Sequence, residues 1–108
     1  SRIDFVKIVT TQVITSPPQW LHRKLATYRR FDVEPYLDHS YFLRAYRDGV
    51  VERAIEAGRA AGFKVIEFMN TWGDVAEGQW DAWRKLAAAN DMRFIFEFAP
   101  DTLGPYAA

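Results

Sequence analysis

Three near-continuous apolar runs, each holding a charge in its middle, constrain this chain more than any other feature: Phe5 to Val9 around Lys7, Val65 to Met69 around Glu67, and Phe94 to Ala99 around Glu97. Their length and their β-branched and aromatic content are those of strands buried on both faces, as in a parallel sheet. An isolated charge is expensive in such a place, so each retained charge marks a candidate site.

The segments between the runs carry helical signals. Ser16-Pro17-Pro18-Gln19 supplies a capping serine, an early proline and a glutamine three residues after the cap, which predicts a helix from Ser16 to about Arg30. Leu21, Leu25 and Tyr28 recur on its inward side, and Arg23, Lys24, Arg29 and Arg30 make it basic elsewhere, a pattern expected of a solvated face. Val33 to Asp38 reads as a short strand limited by Pro35. A helical stretch from about Ser40 to Arg47 breaks at Asp48-Gly49, and a second runs from Val50 to a left-handed stop at Gly62. Thr71 or Asp74 is expected to cap a last helix with Ala76, Trp80, Trp83 and Ala87 on one stripe and Asn90 at its end. The order β-α-β-α-β-α-β calls for right-handed crossovers and parallel strands within one domain over residues 1–108.

Fourteen basic and fourteen acidic residues cancel, so no global field favours nucleic acid, an anionic membrane or acidic substrates, and binding is expected to be local. The absence of cysteine excludes disulfides, thiolate metal sites and thiol nucleophiles. No apolar stretch approaches the roughly 20 residues of a membrane span, and no signal-type leader opens the chain, so a cytoplasmic location is expected.

Strand parity sorts the charges. Phe94, Phe96 and Phe98 share one side with Ile66 and Phe68 and suit a helix layer, leaving Lys7, Glu67 and Glu97 together on the other side. Glu67 and Glu97 are candidate Mg²⁺ ligands, because magnesium takes a few carboxylates and keeps several waters. Lys7 is placed to neutralise an enolate or carboxylate. His39 is the candidate base, and Asp38 and Asn70, at strand ends, are candidate substrate contacts, although both residue types also serve as ordinary caps. A structural ion-pair network accounts for the same three charges equally well. No nucleophile motif or glycine-rich phosphate loop is present.

Ile3-Asp4-Phe5-Val6-Lys7, the Pro35 region followed by Ala45-Tyr46-Arg47-Asp48-Gly49, Ala61-Gly62-Phe63-Lys64-Val65-Ile66-Glu67, and Phe96-Glu97-Phe98 resemble successive blocks of the phosphosulfolactate synthases. The resemblance is colinear over nearly the whole chain. It implies a partial TIM barrel, corresponding to strands two to five of eight, and a magnesium-dependent lyase-type addition of sulfite to phosphoenolpyruvate. Where that family carries a Gly-Trp-Gly-Thr-Ser type loop, this chain has Val9-Thr10-Thr11-Gln12-Val13, and Ala99-Pro100-Asp101-Thr102 stands where a proton-transferring lysine is expected. Two function classes follow: a synthase-like enzyme acting on a small enol or phosphorylated acid, or a degenerate barrel module acting through association. Half a barrel leaves two open sheet edges, which predicts closure by homodimerisation.

Overall fold

The computed structural model describes residues 6–39, 47, 49–69 and 75–97, with the side chains of Met69, Glu77 and Glu97 left out. Eight elements follow in order: β1 (Lys7–Val9), α1 (Thr10–Thr15), α2 (Pro18–Arg29), β2 (Tyr36–His39), α3 (Val50–Ala61), β3 (Val65–Met69), α4 (Glu77–Ala89) and β4 (Arg93–Glu97). The four strands form one parallel sheet in the order β1-β2-β3-β4. This is the alternating α/β architecture expected from the three runs. No helix among the described residues is long and apolar enough to cross a membrane.

The first crossover differs from the sequence expectation. Thr10 to Thr15, to which the sequence reading gave no element, form the short helix α1, which starts directly at the end of β1. Ser16 ends α1 instead of capping α2; Pro17 is the N-cap of α2 and Pro18 occupies its first turn. Pro18 has no amide to satisfy there, and no side-chain cap bond starts the second helix. β2 begins at Tyr36, one residue after the proline that cannot donate to a ladder. The segment 40–46 and the proposed caps Thr71 and Asp74 lie outside the described residues.

Each long helix ends on a left-handed residue: Asp32 at φ 59°, Gly62 at 96° and Asp91 at 57°. In each case the next amide reaches back into the last turn, Val33 N–H to the Tyr28 carbonyl, Phe63 to Gly58 and Met92 to Ala87. These bonds satisfy terminal carbonyls and reverse the chain toward the sheet. Arg29 adds a bond from Nη2 to the Gly62 carbonyl at 2.8 Å, tying the C-terminal ends of α2 and α3 together.

The core lies between the helices and one face of the sheet. Leu21 and Leu25 of α2, Val51 and Ile55 of α3, and Trp83 and Ala87 of α4 close over Ile8, Leu37, Ile66 and Phe68. Gly58 lets α3 approach closely: a Cβ there would sit 2.7 Å from Leu37 Cδ2. Phe68 stacks on Phe94 at 4.7 Å, and Trp80 meets Phe96 edge-on at 4.6 Å, so these aromatic rings face the helix layer as their parity requires.

Candidate functional site

Register places the polar residues of the opposite face. Lys7 pairs with Tyr36, Val9 with Asp38, Asp38 with Glu67, and Glu67 with Ile95. In a parallel sheet, residues matched this way point to the same side, so Lys7, Asp38 and Glu67 share the face turned away from the helices. Lys7 Nζ donates to Glu67 Oε1 at 2.8 Å, from β1 to β3 across the intervening strand. The Glu67 side chain is 2% exposed and that of Lys7 is 24%, so the lysine reaches down from a wetter rim to a carboxylate in the interior. Asp38 is buried as well, at 1% exposure.

The result is two carboxylates on neighbouring central strands with an ammonium against one of them. Such a pair holds together because removing either charge leaves the other stranded in a low-dielectric setting. The donor chemistry also suits a hard divalent cation, which takes carboxylate oxygens and retains waters. Among the described residues, no group of three or more His, Cys, Asp or Glu side chains could hold a metal ion. Glu97 is the last residue of β4 and pairs through its backbone with Met69, one alternation beyond Glu67. Its side chain and all of Asn70 lie outside the described residues.

His39 is not brought to this cluster. It follows Asp38 in β2, and successive strand residues face opposite ways, so it joins Leu37 on the helix side. Its ring is fully buried, meets Phe68 edge-on at 5.5 Å and places Nδ1 2.8 Å from the Thr10 hydroxyl. The same hydroxyl lies 3.4 Å from the Asp38 carbonyl and donates to it, and both contacts are made together when Nδ1 carries the ring proton. The expected base is therefore walled off from the carboxylates by the sheet itself. Thr10, which the sequence reading passed over, joins the end of β1 to the end of β2 and supports the backbone that carries Asp38. Its only signal in the sequence is its place immediately after an apolar run.

Residues 1–102 match the model of the family described as (2R)-phospho-3-sulfolactate synthase (ComA). No curated protein and no solved structure matches the chain.

Proposed function

Because the chain belongs to the (2R)-phospho-3-sulfolactate synthase family, we propose that the sheet face turned away from the described helices binds a small phosphorylated or enolic acid and promotes synthase-type addition to it. The observation that carries this reading is the Lys7–Glu67 contact at 2.8 Å, beside Asp38 and on the sheet face turned away from the described helices. Lys7, the more exposed partner, can turn its ammonium to a substrate carboxylate or enolate oxygen and stabilise negative charge gathering there. Glu67 keeps that ammonium in place, and Asp38 lines the same face as a polar contact for the substrate, with Asn70 as a further contact assigned from the sequence.

Glu67 and Glu97 are proposed as magnesium ligands, with Asp38 adjacent to the first. A bound magnesium ion supplies positive charge that neutralises acidic oxygens of the substrate. Sulfite addition to phosphoenolpyruvate in the presence of magnesium is the direct test. Formation of phosphosulfolactate by the chain, lost in Lys7→Met while the fold is retained, supports the reading. Wild-type protein that is folded and inactive, or a Lys7→Met variant as active as wild type, overturns it.

The same reading extends to architecture. Consecutive strand order with the core helices against one face is the arrangement of a barrel segment, and we take the chain as part of a TIM barrel.

A further inference from the structure

Strand register assigns two further polar side chains to the sheet face that carries Lys7 and Glu67. Lys7 pairs with Tyr36 and Val65 pairs with Arg93, while Tyr36 and Val65 precede Asp38 and Glu67 by two residues on their own strands. Residues two apart on a strand point to the same side, so Tyr36 and Arg93 share the face of Lys7, Asp38 and Glu67, one level nearer the strand starts. Phe94, next to Arg93, stacks on Phe68 in the helix layer, which fixes Arg93 to the opposite side. Neither Tyr36 nor Arg93 has a role in the reading above.

The two levels differ in chemistry. Asp38 and Glu67 are buried carboxylates. The level before them carries an ammonium, a phenol and a guanidinium, with Tyr36 half-buried and Arg93 exposed. Lys7 Nζ crosses β2 to meet Glu67 Oε1 at 2.8 Å, so the ammonium lies over β3, one strand spacing of about 4.8 Å from the strand that carries Arg93. The charge of Lys7 answers that of Glu67. Among the described residues, Arg93 forms no ion pair and the Tyr36 hydroxyl no hydrogen bond. Glu97, the remaining charged residue that register puts on this face, lies two levels beyond Arg93, paired with Met69.

We infer that Tyr36 and Arg93, with Lys7 beside them, form an oxyanion-binding subsite for the small acid of the proposed reaction. This rests on that reading and deepens it by naming the residues that hold the acid's anionic group. The guanidinium offers parallel N–H donors to two oxygens of one carboxylate or phosphate, and the phenol O–H adds a third bond. An acid bound there has its anionic end among donors and its remaining atoms along the strands toward Asp38 and Glu67, with the Lys7 ammonium between the two levels. An anionic group set directly against Asp38 and Glu67 would instead meet like charge, which is costly.

Calorimetric titration with phosphoenolpyruvate, with magnesium present and absent, tests the subsite without requiring turnover. Arg93→Gln is expected to weaken binding roughly tenfold and Tyr36→Phe roughly threefold, the scales of a charged and a neutral hydrogen bond. Arg93→Lys is expected to recover part of the loss, because it keeps the charge and gives up the fork. Arg53→Gln serves as the charge control: this exposed residue of α3 belongs to the helix layer, so its removal is expected to leave binding unchanged. Competition identifies the group held, since displacement by inorganic phosphate assigns the phosphate to Arg93 and displacement by acetate assigns the carboxylate. A wild type that binds no phosphoenolpyruvate in either condition, binding insensitive to both Arg93→Gln and Tyr36→Phe, or an equal loss in Arg53→Gln overturns the subsite. Product formation is a separate readout. Binding that depends on Arg93 without any product keeps the subsite and removes the synthase reading, whereas a full rate of product formation in Arg93→Gln keeps the synthase reading and removes the subsite.

Discussion

The two faces of this sheet each hold a polar contact of 2.8 Å that ties distant segments together, yet they do so with different chemistry. On the helix side, Thr10 meets His39 among close-packed aromatic rings and aliphatic side chains, and every group in the contact can be neutral. On the other side, Lys7 meets Glu67 beside Asp38, and the contact is charged. A neutral hydrogen bond suits a dry core, where its net contribution is about 1 kcal/mol and its loss is local. A buried ion pair contributes little net stability over apolar replacements, but it becomes very costly when halved. The contrast teaches that the helix side is held by neutral packing, whereas the opposite side keeps buried charge that only the part-exposed Lys7 links to solvent.

The sharpest way to break this contrast is to halve the ion pair. Glu67→Ala is expected to cost about 3 kcal/mol, the lower end for a buried pair because Lys7 is 24% exposed. Joint replacement by Lys7→Met and Glu67→Leu is expected to recover most of that loss and to abolish any synthase activity. Chemical denaturation of both variants checks this. A double variant as unstable as Glu67→Ala would make the pair a structural requirement instead of a functional one.

A smaller effect, about 2 kcal/mol, is expected from Gly58→Ala on the helix side, since the added Cβ would meet Leu37 Cδ2 at 2.7 Å and Met92 Cε at 3.0 Å. Thr10→Val keeps the shape and removes the hydroxyl. Its expected cost is about 1–2 kcal/mol, because His39 Nδ1 loses its buried partner. A Thr10→Val variant of unchanged stability in thermal or denaturant unfolding would show that the neutral contact is incidental.

How much of this was legible in the sequence varies residue by residue. Lys7 and Glu67 were readable as partners because each sits alone in an apolar run, and parity put both on one face. Gly62 and Asn90 were readable as helix ends from residue type, and both are the C-cap residues of their helices. His39 was assigned to the site because it is titratable and near a strand end. Leu37, two residues earlier and plainly a core residue, already fixes its parity to the helix side. The short helix α1 had no such marker: six residues cannot display a helical period, and Thr-Thr-Gln-Val reads as easily as a loop. Ser16 looked like a cap because the serine-proline signature is the same whether the serine starts one helix or ends another.

The smallest expected effect lies at the surface and tests whether charge by itself distinguishes the Lys7–Glu67 face. Asp81 of α4 accepts from Lys85 and lies against Arg84, and these neighbours hold its carboxyl below the ordinary aspartate value of 3.8, the Lys85 hydrogen bond first and the Arg84 charge second. A lowered value in the folded state means the contribution is present above the ordinary carboxylate range and is lost as pH falls through the folded value. The group is fully solvated, so its contribution is screened by water and salt. Asp81→Asn is therefore expected to shift the unfolding midpoint by no more than ordinary surface substitutions do, and only at low ionic strength. Raising the salt should erase that shift while leaving the penalty of Glu67→Ala in place, because ions in solution do not reach a carboxylate that is 2% exposed. If salt removed both effects alike, Glu67 would behave as a surface charge, and the distinction between the two faces would have no basis.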